Sequence, residues 1–318
     1  MCNYDQLVET ELHSLVDIPG LSSELKSLML ACLEYPHNSR PKEYRWAKLI
    51  FASCEAFSGK PELALSGAVA MELFARAADI LDDLQDEDND NAIWRRIPSS
   101  QATILATNLL LLSYEALSPV AGTNMYPRVI RIINRTGLTA GDGQFQETLY
   151  DLREDATLDE YLELIGKKSG SLTAGACTIG GIFGGASPET ASQLWDFGVK
   201  LGQIAQIDND LQDFLNITDK SDLMKGKKTL PFVYLLNMLE GEKAQGFKKL
   251  VLLARENKEQ FGALEKEQLL DIMLNEGAAH YCMVVQEMFR QDALNILNTI
   301  PTSDEQKGKL KELVCENV

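Results

Sequence analysis

Apolar residues recur three and four positions apart through nearly the whole chain, and that periodicity restricts the fold more than any other property of the sequence. It runs through "GLSSELKSLMLACLEY" (20–35), "RWAKLIFASCEAF" (45–57), "PELALSGAVAMELFARAADILDDL" (61–84), "ATILATNLLLLSYEAL" (102–117), "YPRVIRIINRTG" (126–137) and "AAHYCMVVQEMFRQDALNILNTI" (278–300). Such spacing puts the apolar side chains on one face of a helix. Alternating β-branched runs closed by Asn-Gly or Asp-Gly turns are missing, so an all-α fold is expected. Breaks fall in Gly, Pro and Asn clusters at 36–41, 58–61, 95–100, 118–124, 184–189 and 218–231. None is long enough to be a clear interdomain linker, and residues 1–318 are expected to form a single helical domain around a central cavity. The helices near Pro61 to Asp86 and Thr103 to Ser113 should be its inner members.

Composition narrows the function. A hydrophobic content of 45% over 318 residues supports a large core, and a net charge of −17 repels polyanions, which argues against a nucleic-acid partner. Six scattered cysteines with no CxxC pair, and an amino-terminal stretch without a signal-peptide pattern, point to a reducing cytoplasm. The longest uncharged stretch, Ser171 to Ala186, is short and glycine-rich for a membrane span, so no transmembrane segment is expected. Its Gly180, Gly181, Gly184 and Gly185 suit close helix packing. His13, His37 and His280 form no metal motif, and no nucleophile elbow, Walker loop or dinucleotide fingerprint occurs. Trp46, Trp94 and Trp195 are assigned to packing, and Cys54 and Cys177 to inert core thiols. Carboxylates and lysines are left to carry any chemistry.

They are not evenly spread. "ADILDDLQDEDNDN" (78–91) holds six aspartates and a glutamate, and Asp79, Asp82, Asp83 and Asp86 lie at i, i+3, i+4 and i+7 on one helical stripe. Like charges at that spacing repel by a few tenths of a kcal/mol per pair, roughly, and they sit at the end of the helix where the macrodipole also disfavours them. "QIDNDLQDF" (206–214) repeats the stripe with Gln206, Asn209, Asp210 and Asp213. Two oxygen-rich faces opposed across a cleft suit Mg²⁺, which is commonly shared between one or two carboxylates and substrate phosphates. Nearby, Lys220, Lys225, Lys227 and Lys228 form a basic island that could close over a polyphosphate.

At "DDLQD" the chain resembles the trans-isoprenyl diphosphate synthases, and the likeness extends over most of its length. The resemblance implies an all-α homodimer in which two aspartate-rich helices bind an allylic diphosphate through three Mg²⁺ ions. By that likeness Asp82, Asp83 and Asp86 form the first metal motif, and Asp210 and Asp213, with Asn209 in place of a leading Asp, form the second. Arg95 and Arg96 of "WRRIP", Lys168 of "KKSGSL", Gln206, Lys220 and Lys227 would grip the allylic diphosphate, with Asp82, Asp83, Lys168 and Asp210 central to its ionisation. Lys42 and Arg45 would hold isopentenyl diphosphate, and Phe74, Ala77 and Ala78 would line the chain-length pocket.

Two departures bear on the acceptor. Glu43 replaces a basic residue, and Ala75 stands where the family usually carries a His or Gln. The stretch "ADILDDLQDEDNDNAIW" is similar to that of the ComQ-type enzymes of the same family, which prenylate a tryptophan of a peptide pheromone. The leading expectation is therefore prenyl transfer to isopentenyl diphosphate, favoured by Lys42 and Arg45. The alternative is transfer to a small tryptophan-containing peptide, favoured by Ala75 and Glu43. Terpene cyclisation and a non-catalytic partner subunit are the further alternatives. Small Ala77 and Ala78 imply a product longer than farnesyl unless Phe74 blocks the pocket.

Overall fold

The computed structural model describes residues 4–35, 44–215, 221–256 and 261–315. Among the described residues there is no strand, and the helices are, in order, α1 (Tyr4–Val16), α2 (Ser23–Glu34), α3 (Arg45–Ser58), α4 (Leu65–Gln85), α5 (Ser99–Glu115), α6 (Tyr126–Leu152), α7 (Leu158–Ile165), α8 (Ser171–Phe183), α9 (Pro188–Leu215), α10 (Asp222–Lys225), α11 (Leu230–Met238), α12 (Gly241–Glu256), α13 (Ala263–Asn275), α14 (Ala278–Thr299) and α15 (Asp304–Cys315). A 3₁₀ turn, Pro61–Ala64, leads into α4, where the proline lacks the donor that a first turn leaves unused. The expected breaks at 58–61, 95–100, 118–124 and 184–189 all separate helices, whereas 36–41 lies outside the described residues.

The uncharged helix α8 is the axis of the bundle, with nearly every side chain buried between α3, α6 and α9. Its glycines permit this. A methyl group at Gly180 would collide with the Ile50 carbonyl of α3, and one at Gly184 would sit 2.8 Å from the Cys54 carbonyl. Gly185 instead takes φ +91° in the turn before α9, a conformation glycine adopts without steric cost. Cys54 and Cys177 are fully buried, and burial pushes the Cys177 thiol up to about 12, so neither is a nucleophile at neutral pH.

Helix α5 corrects one expectation. Its inner face of Ala102, Leu105, Ala106, Leu109 and Leu112 packs on α4, but Ile104 and Leu111 on the outer face are 56% and 64% exposed. None of the described residues covers the far side of this apolar helix. The same stretch, Ser99–Val120, rather than Ser171 to Ala186, is the one described helical segment long and apolar enough to cross a membrane, and 39% of its most apolar 18 residues are buried.

Two smaller clusters flank the main core. One lies beneath α10 to α13, around Phe214, Leu223, Phe232, Phe247 and Met273. The other joins α7, α9, α11 and α14 through Tyr161, Ile207, Val233 and Val285. Between α7 and α8 the helix opens into a π turn, Gly166–Gly170, a rare irregularity frequent at functional sites.

Candidate active site

The first acidic stripe ends α4, where its charges oppose the helix dipole, and each carboxylate has acquired a compensating partner. Asp82 lies 3.2 Å from the Lys168 ammonium. Asp83 accepts the Trp94 indole N–H at 2.7 Å and the Asn89 amide at 3.1 Å. Asp86 accepts from Lys227 at 2.5 Å and from the Gln144 amide at 3.0 Å. Just beyond, Glu87 and Asn89 take φ of 54° and 52°; Asn visits that left-handed region routinely and Glu does so rarely. Asp88 in the same loop pairs with Lys225 at 2.6 Å.

The second stripe faces this space from α9 but is satisfied differently. Asp210, 1% exposed, accepts the Tyr161 hydroxyl and the Leu230 backbone N–H on one oxygen and the Gln206 amide on the other, the last two at 3.2 and 2.9 Å. Asp213 accepts the backbone N–H of Asp222 at 2.9 Å, tying α9 to the start of α10. Asn209 is exposed.

The π turn connects the two walls. Lys168 points at α4 and also pairs at 2.5 Å with Glu147 of α6, while its neighbour Ser169 donates to Gln206 of α9 at 2.7 Å. Closeness is enforced by Gly143 of α6, where a Cβ would fall 2.5 Å from the Lys168 amide nitrogen. Glu147 and Gln144 escaped the sequence reading because they lie on a helix without an acidic stripe; their placement depends on how α6 crosses α4. Trp94 was assigned to packing alone; its N–H also holds Asp83.

Crowding shifts the titrations. Burial, only partly offset by Lys168 and Lys227, pushes Asp82 up to about 6. Burial raises Asp210 to about 7 against the opposing hydrogen bonds from Tyr161, Gln206 and Leu230, and raises Asp213 to about 6. Burial works against the charge of Lys168 and Lys227, yet the carboxylates around them, Glu147 foremost, raise both. The site therefore has a strong preference for positive charge.

Other expected residues are dispersed. Arg95 lies 3.9 Å from Asp90, and Arg96 is exposed. Lys42 and Lys220 fall outside the described residues. The Arg45 guanidinium stacks over Trp46 at 4.4 Å and neighbours Glu72. Glu72 of α4 accepts the Ala47 N–H at 2.9 Å, supplying the cap that Tyr44 does not give to α3. Ala75 and Ala77 are buried, Ala78 is half-buried, and the Phe74 ring lies against Gly137 of α6, where a Cβ would come within 3.1 Å of it.

The donor sets differ in their fitness for Mg²⁺. Among the described residues no three Asp, Glu, His or Cys side chains converge as a ready metal site. Asp82 and Asp86 nonetheless fit the ion's chemistry, since Mg²⁺ binds through one or two carboxylates plus phosphate oxygens and waters, and both now face ammonium groups that a stronger cation could displace. Asp210 does not fit, because turning to a metal would leave buried donors unpaired at about 1–3 kcal/mol each.

The helical bundle and this charged cleft define a class, which comparison with known proteins identifies. Residues 26–312 match the polyprenyl synthetase family. The chain belongs to that family and is a prenyl-transferring enzyme. It is 26% identical over 284 residues to the tryptophan prenyltransferase ComQ of Bacillus subtilis (strain 168), covering 89% of this chain and 91% of that protein. It is 27% identical to a short chain isoprenyl diphosphate synthase of Methanothermobacter thermautotrophicus, covering 78% and 82%. In fold it resembles the crystal structure of a polyprenyl synthetase from Streptomyces coelicolor A3(2), with a TM-score of 0.86, 24% identity and coverage of 99% and 97%.

Proposed function

We propose that this enzyme ionises an allylic isoprenyl diphosphate in the cleft between α4 and α9 and passes the prenyl group to the indole of a tryptophan in a small peptide. The observation that carries the ionisation is the convergence of Lys168 and Lys227 on Asp82, Asp86 and Glu147. Asp82 and Asp86 would hold Mg²⁺, which neutralises the diphosphate and makes it a better leaving group. Lys168 and Lys227 are placed to meet the negative charge that grows on the departing oxygen. The allylic carbon–oxygen bond breaks with its electron pair on the pyrophosphate, a carbon–carbon bond forms to the acceptor, and the resulting cation on the acceptor is quenched by loss of a proton from the acceptor.

The indole acceptor is favoured over isopentenyl diphosphate by the acceptor side of α4. Among the described residues there, Arg45 is stacked on Trp46 beside the acidic Glu72, and Ala75 offers no polar group to a second diphosphate. The similarity to ComQ across nine-tenths of its length agrees. Isopentenyl diphosphate remains the second reading, supported by the relatives that are isoprenyl diphosphate synthases. Incubation with geranyl or farnesyl diphosphate and Mg²⁺, offering either a tryptophan peptide or isopentenyl diphosphate, separates them by mass spectrometry. A prenyl mass on the peptide supports the first, and extension of the diphosphate with an unmodified peptide replaces it by the second.

The tail of the substrate would run down α4 from Asp82. Phe74 is eight residues deeper, about 12 Å at the helical rise, and each isoprene unit advances about 5 Å over its four carbon–carbon steps. That depth suits a geranyl or farnesyl tail, in place of the longer chain that Ala77 and Ala78 alone imply. The chain is proposed to work as one domain and as a homodimer, in which a second copy covers the exposed heptad-spaced stripe of Leu138, Phe145 and Leu152 on α6 together with Ile104 and Leu111 of α5. The five described cysteines are free, in keeping with a reducing, cytoplasmic setting.

A further inference from the structure

We propose that Asp210 is a fixed joint between α7, α9 and α11 and not a cation ligand, so that this member of the α9 stripe holds helices together while Asp82 and Asp86 of α4 are left to meet the cation. The inference rests on the reading of the cleft as a cation and diphosphate site. Asp210 is fully enclosed at the point where the three helices meet. One of its oxygens receives the Tyr161 hydroxyl from α7 and the Leu230 N–H from the first turn of α11; the other receives the Gln206 amide one turn earlier on α9. Tyr161 is itself 4% exposed, so water cannot replace the carboxylate as its partner, and Leu230 is a backbone donor that cannot follow a rotating side chain. Leaving these partners would break the polar link that joins α7 and α11 to α9 within their shared apolar cluster.

The joint also orients a group that faces the cleft. An ionised carboxylate only accepts hydrogen bonds. With Asp210 accepting, the NH₂ end of Gln206 points inward and its carbonyl oxygen points at Ser169, which donates to it at 2.7 Å. Ser169 is the next residue to Lys168, so Asp210 acts on the diphosphate site through Gln206 and the π turn. On α4, by contrast, the partners of Asp82 and Asp86 include flexible ammonium groups, which a metal can push aside.

The test compares Asp82→Asn, Asp210→Asn, Tyr161→Phe and the Asp210→Asn/Tyr161→Phe double variant of the full chain. Mn²⁺ with inorganic pyrophosphate is the binding probe, followed by calorimetric titration, and thermal unfolding is the second readout. Asp82→Asn should weaken Mn²⁺ more than about tenfold, whereas Asp210→Asn, which removes no ligand, should weaken it less and only together with a lowered Tm. Asp210→Asn and Tyr161→Phe should each lower Tm by about 3 °C or more, and the double variant should lose less than the sum, since both remove one shared interaction. The proposal is overturned if Asp210→Asn weakens Mn²⁺ as much as Asp82→Asn at unchanged Tm, or if the two Tm losses simply add. Should Asp210→Asn not fold, Tyr161→Phe decides: lowered Tm with intact Mn²⁺ affinity supports the joint, and lost affinity at unchanged Tm removes it. If wild type binds no Mn²⁺, the cation reading of the cleft fails, and the Tm comparison still decides whether the joint exists.

Discussion

The two acidic stripes share a spacing but not a set of partners. On α4, Asp82 and Asp86 meet lysine ammonium groups on flexible stems; on α9, Asp210 and Asp213 meet a buried hydroxyl and backbone N–H groups. An ammonium can be displaced by a denser cation and then reused against a phosphate. A peptide N–H can do neither. Carboxylates on two similarly spaced stripes can thus serve as a replaceable counter-charge in one place and as fixed mortar in another, and the partner decides which.

The largest break of this comparison should come from Asp82→Ala, for which turnover of an allylic diphosphate should fall by about 10²–10³-fold; near-normal steady-state rates would put the chemistry elsewhere. Lys227→Met should cost about 10²-fold in kcat/KM, with the loss concentrated in the chemical step when followed by single-turnover kinetics. An effect confined to KM would reduce Lys227 to a ground-state contact. Asn209→Asp sharpens the comparison from the other side: restoring a carboxylate on the exposed face of α9 should tighten Mg²⁺ a few-fold by ligand charge, measured by calorimetry. No gain would mean that this position faces away from the ion.

The smallest effect concerns a carboxylate outside both stripes. Burial raises Glu72 from 4.5 to about 7, against the opposing hydrogen bonds and arginine charges. The folded chain therefore keeps a proton there that the unfolded chain releases, and this contribution to stability is full below about pH 4.5 and falls as pH rises towards 7. Glu72→Gln should flatten Tm against pH across that window; an unchanged slope would show that Glu72 is already ionised when folded.

Helix identity was legible because it depends on local periodicity: the stretch at 45–57 became α3 (Arg45–Ser58), and that at 278–300 became α14 (Ala278–Thr299). The glycines of α8 were readable for the same reason, since four of them in an uncharged helix have little purpose except close approach. The exposure of Ile104 and Leu111 was not, because periodicity reports which residues are apolar and is silent on what covers them. The stripes themselves stood out as locally unfavourable charge. Glu147, Tyr161 and Gln144 could not be found, as each matters only through a crossing of helices distant in sequence. Nor could the sequence foresee that Asp82 would meet an ammonium group and Asp210 a buried hydroxyl and a peptide N–H, since the fold brings those partners.

The π turn at Gly166–Gly170 has a consequence for how this protein can change. A π turn carries about one residue more than a regular helix needs, so the five residues can lose one and close into an ordinary helical turn. Gly175, seated on Thr136, and Gly180, against Ile50, would then keep their facing, while Lys168 would lose the direction in which it now points. A single-codon deletion here should therefore be better tolerated by the fold than one inside α8 itself, where each lost residue would rotate the remainder by about 100°.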